Sequence, residues 1–232
     1  MRISLSFKNM NKILILWFWS YCVRDPDTDR QDLYAVALHR IREILPQNAD
    51  IILVDNTKEK RIDFNQNLQD ELAHFPNLLL LNNNHLGKTN KGAWEYQSCM
   101  GIYDHYKSIV HSADWIIYYT IRHIMCEPLV FEYIEKYWCE YDAIVSSASY
   151  LYSDWSTSTP SEHVFDDTLF AMKRDVFLRY IESMNPEKMT KEYVSSEENL
   201  RSFIEFNHIP HKKVHHFWLF RYNTAINKTE LL

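Results

Sequence analysis

Residues 13–19 read Ile-Leu-Ile-Leu-Trp-Phe-Trp, an unbroken apolar run with polar residues on both sides. A helix that spans a membrane needs about 20 apolar residues, so this run is too short for one. A secretory signal would be followed by small residues at a cleavage site, whereas residues 24–27 read Arg-Asp-Pro-Asp. We therefore predict a buried β-strand over 12–19, preceded by a loose N-terminal extension over 1–11.

Strand and helix patterns alternate along the rest of the chain. Apolar residues at helical spacing predict helices over 32–45, 65–75, 92–109 and 129–137. Short apolar runs predict strands over 50–56, 78–81, 115–119 and 143–146. A β-α-β rhythm whose strands are apolar on both faces is typical of a mostly parallel sheet covered by helices on both faces. The predicted fold class is therefore α/β, with one domain over 12–232, because no linker rich in Pro, Gly or Ser divides the chain.

The composition excludes several classes of protein. The chain has 232 residues, of which 46% are hydrophobic, so a globular core is expected and disorder is not. A formal net charge of −6 argues against a nucleic-acid partner, since phosphate neutralisation needs a basic face. The four cysteines stand far apart without a CxxC pair, which predicts a cytoplasmic protein with no disulfide framework. Aromatic residues make up 15%, which suits either an aromatic core or stacking on sugars.

Polar residues follow the predicted strands, where ligands bind in parallel sheets. Asp55 and Asn56 follow the second strand, the loop 82–92 follows the third, and Arg122 follows the fourth. No GxGxxG pattern follows the first strand, and no GxxxxGK[ST] pattern occurs anywhere. The sequence thus supports neither a Rossmann dinucleotide site nor a P-loop.

Several segments together resemble nucleotide-sugar glycosyltransferases of the GT-A fold. These segments are Ile-Leu-Val-Asp-Asn-Thr (52–57), Asn-His-Leu-Gly-Lys-Thr-Asn-Lys-Gly (84–92), Phe-Asp-Asp-Thr-Leu-Phe-Ala-Met-Lys-Arg (165–174) and Ser-Ser-Glu-Glu-Asn-Leu (195–200). The resemblance covers about residues 12–222. It implies a Rossmann-like GT-A domain with a donor half over about 12–125 and an acceptor half over about 126–232.

The resemblance also implies a donor site and an acceptor site. The residues expected to bind the nucleotide-sugar donor are Asp55, Asn56, Gly87, Lys88, Asn90, Arg122 and Arg221. The residues expected on the acceptor side are Asp166 and Trp94, with Asp167, Glu197 and Glu198 as candidate catalytic acids. One of Asp166 and Asp167 would bind the acceptor hydroxyls, while the other would cap the following segment.

Two readings are open for Glu197 and Glu198. Acids in the first turn of a helix capped by Ser195 or Ser196 are stabilised by the helix dipole, which explains both without catalysis. Alternatively, one acid is the general base of an inverting transfer. Glu197 lies on the stripe formed by Leu200, Phe203 and Ile204, so we predict that Glu197 faces inward and serves as this base.

The chain departs from the resembled family after the fourth strand. GT-A enzymes usually carry Asp-x-Asp there to hold Mg²⁺ or Mn²⁺, but residues 119–123 read Tyr-Thr-Ile-Arg-His. The charge on the leaving group must still be neutralised. We expect Arg122, Lys88, Lys91 and Arg221 to do this in a metal-independent or weakly metal-dependent enzyme. An enzyme that uses Mn²⁺ or Mg²⁺ in the family's usual way is the alternative.

Histidines crowd the C-terminal segment His-Ile-Pro-His-Lys-Lys-Val-His-His (208–216). Pro210 interrupts helical spacing and no carboxylate or cysteine completes a zinc set, so we predict no zinc site and keep His216 as the one candidate ligand. A strand over 214–221 would bring His216 or Arg221 back to the donor. The lysines and aromatic residues of this segment suit either the core or a peripheral contact with a membrane surface.

The sequence therefore predicts a hexosyl- or deoxyhexosyltransferase. Its donor would be a nucleotide-diphosphate sugar, and its acceptor a glycan or a lipid-linked molecule in surface polysaccharide or glycoprotein glycan synthesis. The alternative is a catalytically silent GT-A-like protein that binds a carbohydrate or a partner. A sugar nucleotidyltransferase is less favoured, because such an enzyme would need a glycine-rich phosphate loop near the first strand. None of the three glycines of this chain lies there.

Overall fold

A computed structural model describes residues 12–19, 31–55, 58–81, 91–120, 123–146, 165, 167–192, 194–214, 217, 219–223 and 228–231. The strands are β1 (Ile13–Trp19), β2 (Ala49–Asp55), β3 (Leu78–Leu80), β4 (Trp115–Thr120), β5 (His123–Met125), β6 (Ala143–Ser146), β7 (Leu169–Lys173), β8 (His211–Val214), β9 (Leu219–Asn223) and β10 (Lys228–Leu231). The helices are α1 (Gln31–Ile44), α2 (Gln66–Leu72), α3 (Lys91–Ser112), α4 (Leu129–Tyr137), α5 (Arg174–Ser183), α6 (Pro186–Glu192) and α7 (Ser196–Phe206), with a short 3₁₀ turn at Arg61–Asp63.

Seven of these strands form one sheet in the order β3-β2-β1-β4-β7-β6-β8. Strands β3, β2, β1 and β4 run parallel, β7 runs antiparallel to both β4 and β6, and β8 is parallel to β6. Strands β10, β9 and β5 form a separate antiparallel sheet. The prediction of a mostly parallel α/β sheet is confirmed.

The strands of the large sheet, apart from β8, send alternate side chains to two separate cores, because successive strand residues point to opposite faces. In β1, Ile13 and Ile15 pack with α1, α2 and α4, while Leu14 and Leu16 pack with α3, α5, α6 and α7. All four of these side chains are at most 1% exposed. Helices therefore cover both faces of the sheet, which explains why the strands lack polar alternation.

Most predicted elements lie within a few residues of the observed ones, but the C-terminal prediction is wrong. Instead of one strand over 214–221, β8 ends at Val214 and β9 begins at Leu219, and the two strands belong to different sheets. Residues 214–221 read Val-His-His-Phe-Trp-Leu-Phe-Arg, with no Pro or Gly to mark the change of sheet. The three-residue strand β5 and strands β7 and β10 were not predicted either, nor were helices α5 and α6.

Candidate functional site

The described polar side chains that are buried in the sheet collect at one edge. Strands β2, β4 and β6 run in the same direction and end there, and antiparallel β7 begins there. Asp55 is 2% exposed, Thr120 7%, Ser146 3% and Thr168 5%. The backbone N–H of Thr120 donates to the carbonyl of Thr168 over 2.8 Å and joins β4 to the residues before β7. Because buried polar groups are costly unless they are bonded, this concentration marks the edge as a candidate functional site.

Two helices also begin at this edge. Helix α3 is kinked at Tyr106 and ends at Ser112, beside the start of β4 at the opposite edge. Tyr96, in its second turn, stacks on Tyr118 near the end of β4, so the first turns of α3 lie towards the site. Helix α7 is followed by β8, whose first residue pairs with the first residue of β6, so α7 likewise begins at the site edge. The first turns of both helices are therefore near the ends of the strands, where helix N–H groups favour anions.

Asp55 is the residue of the predicted donor site whose side chain the structure describes. It ends β2, between Trp19 of β1 and Leu80 of β3. Its Oδ1 accepts a hydrogen bond from the backbone N–H of Lys58 over 2.8 Å, which fixes the carboxylate at the end of the strand. The carboxylate is thus held at the carboxyl end of a central parallel strand, as the sequence predicted.

Most other residues of the predicted donor site lie outside the described residues. These are Asn56, Gly87, Lys88, Asn90 and Arg122. The backbone of Arg221 lies in β9, where it pairs with His123 and Glu230, and so belongs to the smaller sheet. Their predicted roles in donor binding stay predictions.

On the predicted acceptor side, helix α7 places the two neighbouring acids, Glu197 and Glu198, in different environments. Ser195 caps the helix, since its side chain accepts from the N–H of Glu198 over 3.1 Å. Glu197 is partly buried, with its Oε2 3.4 Å from the Oγ of the buried Ser196, whereas Glu198 is exposed. The predicted cap and the inward direction of Glu197 are confirmed, because Leu200, Phe203 and Ile204 form the buried face of the helix. The catalytic role of either acid is still a prediction.

Of the remaining residues predicted on the acceptor side, the structure describes Asp167 in full, Trp94 in part and Asp166 not at all. Asp167 is partly buried in the bend that leads into β7, and it is therefore at the same sheet edge as Glu197. Asp166 lies outside the described residues. Trp94 is in the first turn of α3, although its side chain is not among those described.

A buried pair of tyrosines was missed at the sequence level. The hydroxyls of Tyr96 in α3 and Tyr180 in α5 are hydrogen-bonded to each other, and the two side chains are 1% and 0% exposed. Burial raises the pKa of both hydroxyls well above the usual tyrosine value, and the carboxylate of Asp167 raises both further. Glu197 also raises the pKa of Tyr180. Nothing in the sequence joins Tyr96 to a residue 84 positions away.

The residues after β4 do not fit a divalent cation in the way that the family resemblance implies. Residues 120–123 read Thr-Ile-Arg-His and offer no carboxylate. Across the described ranges there is no group of three or more His, Cys, Asp and Glu side chains that could hold a metal ion. His211, which is described, contacts the carbonyl of Ile209 over 3.0 Å and the ring of Phe165, while His216 lies outside the described residues.

The C-terminal lysines and aromatic residues have contacts within the protein. The Nζ of Lys212 lies 5.0 Å from the ring centre of Tyr137, and that of Lys213 lies 5.9 Å from the ring centre of Phe165. Phe217 is 2% exposed and belongs to the core. Among the helices that the structure describes, none has the length and apolar character needed to cross a membrane. A peripheral membrane contact stays a prediction.

Known proteins match this chain in structure but not in sequence. No protein-family model and no curated protein matches the sequence. A 4-diphosphocytidyl-2C-methyl-D-erythritol synthase from Anaerococcus prevotii superposes with a TM-score of 0.55 at 12% identity, over 88% of this chain and 89% of that one. A protein from Bacillus anthracis described as a glucose-1-phosphate thymidylyltransferase, solved with sucrose, gives 0.56 at 11% identity, over 93% and 91%.

A glycosyltransferase is also among the similar structures. A mannosyltransferase from Pyrobaculum calidifontis, solved with GDP-Man and Mn²⁺, gives a TM-score of 0.55 at 11% identity. The match covers 90% of this chain and 56% of the mannosyltransferase. The chain therefore has a nucleotide-diphospho-sugar transferase-like fold, which both nucleotidyltransferases and glycosyltransferases use.

Proposed function

We propose that the protein is a glycosyltransferase that moves a sugar from a nucleotide-diphosphate sugar to a hydroxyl of a glycan or lipid-linked acceptor. The observation that carries this proposal is the convergence of Asp55, Asp167 and Glu197 on one edge of the sheet. Such a reaction needs a polar contact for the nucleoside and a general base for the acceptor, and carboxylates suit both tasks.

On the donor side, Asp55 would accept a hydrogen bond from the base or ribose of the nucleotide. Its carboxylate is buried and fixed by the bond from the N–H of Lys58, so little side-chain freedom is lost when a nucleotide binds. The diphosphate would be neutralised by Lys88, Lys91, Arg122 and Arg221. Fixed cations at this point stabilise the negative charge that develops on the leaving group.

On the acceptor side, Glu197 would take the proton of the attacking hydroxyl. The acceptor oxygen then bonds to the anomeric carbon, the bond from that carbon to the diphosphate oxygen breaks, and nucleoside diphosphate leaves with its electron pair. Attack from the side opposite the leaving group inverts the anomeric centre. Asp167, together with Asp166 and Trp94, would hold the acceptor in this position.

Nucleotidyl transfer is the second candidate function. Two of the similar structures carry the names of a diphosphocytidyl-methylerythritol synthase and a thymidylyltransferase, and their match covers about nine-tenths of both chains. In that reaction a phosphate oxygen would attack the α-phosphorus of a nucleoside triphosphate, and pyrophosphate would leave. Against it stands the absence of any glycine from residues 20–30, directly after the first strand.

A thermal-shift screen of the purified chain tests the proposal. The panel is UDP-, GDP-, CMP- and TDP-linked sugars, with the four nucleoside triphosphates as the competing arm. A nucleotide sugar at 100 times its Kd adds about 2.7 kcal/mol to the free energy of unfolding. For a domain of this size that raises Tm by about 5–10 °C. A shift with triphosphates alone favours nucleotidyl transfer, and no shift with any nucleotide overturns both functions.

A further inference from the structure

A cavity of about 120 Å³ lies between helices α3 and α5. Its floor is Leu16, the central residue of β1, so it lies halfway along the large sheet and away from the edge that carries Asp55 and Thr120. Its walls are buried apolar side chains from both helices, namely Cys99, Ile102, Val110, Phe177 and Ile181. None of these residues has a role in the proposed function.

The cavity lies beside the kink in α3. Tyr106, at the kink, has non-helical backbone angles (φ −124°, ψ 30°), and residues on both sides of it, Tyr103 and Val110, line the cavity. Tyr103 is held in place, since its hydroxyl is 2.8 Å from Nε2 of His111 and its ring centre is 5.3 Å from Nζ of Lys107. This wall is therefore formed before any ligand binds, which reduces the entropy that is lost on binding.

Two carboxylates stand at the mouth of the cavity, one on each helix. Asp104 of α3 and Glu182 of α5 both line the cavity, and both are exposed. Neither is in an ion pair with any residue that the structure describes. Lys107, one turn along α3 from Asp104, lies over the ring of Tyr103 instead. The two negative charges are therefore available to a ligand.

The charged mouth and the apolar walls together select the kind of ligand. A molecule that fills the cavity takes water away from the carboxylates, and that loss is costly unless a group of opposite charge replaces the water. An ammonium group has three N–H donors, so one such group can bond to both carboxylates. A neutral head group leaves both charges unpaired, and an anionic head group is repelled.

The volume of the cavity limits the apolar part of the ligand. In another protein, a cavity of about 150 Å³ that is lined by Leu, Ile and Phe binds benzene. The lining here is similar and the volume is about 120 Å³, so the cavity suits one aromatic ring or a chain of about five carbon atoms. A larger apolar group would extend past the mouth into water.

We propose that this cavity is a binding site for a primary amine. The apolar body of the amine, one ring or a short chain, enters between α3 and α5, and its ammonium group lies between Asp104 and Glu182. The bound amine contacts both helices and so stabilises their packing. The cavity is separate from the donor and acceptor sides, and the inference therefore does not rest on the proposed function.

Three ligands with the same ring compare the head groups. Phenethylamine is cationic at neutral pH, phenethyl alcohol is neutral and hydrocinnamate is anionic, and isothermal titration calorimetry measures the Kd of each for the purified chain. One exposed ion pair strengthens binding by up to about fivefold, so two should make the amine bind about 5- to 25-fold more tightly than the alcohol. The anion should bind most weakly. Because both carboxylates are exposed, the advantage of the amine should shrink at high salt.

Substitutions that remove charge at the mouth test the two carboxylates. Asp104→Asn and Glu182→Gln should each weaken phenethylamine binding by up to about fivefold, and together they should bring its Kd to that of phenethyl alcohol. Glu135→Gln is the matched control, because Glu135 is an exposed acid of α4 on the other face of the sheet, and it should leave the Kd unchanged. Equal Kd values for the amine and the alcohol in the wild type would overturn the proposal, and so would a failure of all three ligands to bind.

Methyl NMR locates the bound ring. Ring currents from phenethylamine should shift the methyl resonances of Leu16, Ile102, Val110 and Ile181, which line the cavity. The methyl resonances of Ile41, in the core on the other face of the sheet, should not move. Tighter binding of the amine with shifts only at methyl groups outside the cavity would place the amine elsewhere, and it would refute this site.

Discussion

Substitution of Asp55 by asparagine isolates the charge at the end of β2 from its structural role. Asp55 is 2% exposed, and its Oδ1 accepts from the N–H of Lys58 over 2.8 Å. An asparagine oxygen can accept the same bond, so Asp55→Asn should keep this hydrogen bond and remove only the negative charge. We therefore expect a folded variant with weakened donor binding.

The magnitude follows from the kind of bond that is lost. A hydrogen bond to a charged group contributes about 1.5–3 kcal/mol, which corresponds to a Kd weakened about 10- to 150-fold. Because the carboxylate is buried, salt should screen this contribution little. Isothermal titration calorimetry with the nucleotide sugar that gives the largest thermal shift, at low and at high salt, measures both quantities.

Asp50→Asn is the matched control. Asp50 lies in the same strand, about 17 Å from Asp55 at the opposite sheet edge. It forms an ion pair with Lys12 at 2.8 Å, and both side chains are 41% exposed. An exposed pair of this kind contributes at most about 1 kcal/mol, so the control should change stability little and donor affinity not at all. Equal Kd values for the two variants and the wild type would refute the role of Asp55 in donor binding.

Further predictions concern catalysis, charge neutralisation and the core. Glu197→Gln should lower turnover about 10²- to 10⁴-fold with donor Kd unchanged, while Glu198→Gln should have little effect; the reverse result would reassign the base. Arg122→Ala should depress turnover, measured by release of nucleoside diphosphate, and added Mn²⁺ should not restore it; strong activation of the wild type by Mn²⁺ would contradict this. In thermal or urea unfolding, Leu200→Ala should cost about 2–5 kcal/mol because Leu200 is fully buried. Phe206→Ala should change stability by less than about 0.5 kcal/mol because Phe206 is 86% exposed, and equal losses would contradict the packing of α7.

The parts of the fold that have a strong apolar period could be predicted from the sequence. Helix α4 and strand β6 match their predicted bounds, Leu129–Tyr137 and Ala143–Ser146. The direction of Glu197 followed from helical geometry alone. In each case the information is local, within one or two turns of the residue concerned.

The features of the structure that the sequence did not predict depend on contacts between distant segments. The break between β8 and β9 is a choice between two sheets, and no Pro or Gly marks it in the sequence. Strand β5 has three residues, too few for a period, and it is defined by its partner β9 about 100 positions later. The bond between Tyr96 and Tyr180 joins two helices in the same way. Pairings of this kind are fixed by the tertiary structure.

The most direct test of the central claim is the identity of the phosphorus-containing product. ³¹P NMR would follow the purified chain with the nucleotide sugar that gives the largest thermal shift and a mixture of glycan and lipid-linked acceptors, with Glu197→Gln in parallel. The account predicts that the wild type releases nucleoside diphosphate and that Glu197→Gln releases it at least about 100-fold more slowly. Release of pyrophosphate from a nucleoside triphosphate and a sugar phosphate, with no nucleoside diphosphate from any nucleotide sugar, would contradict it.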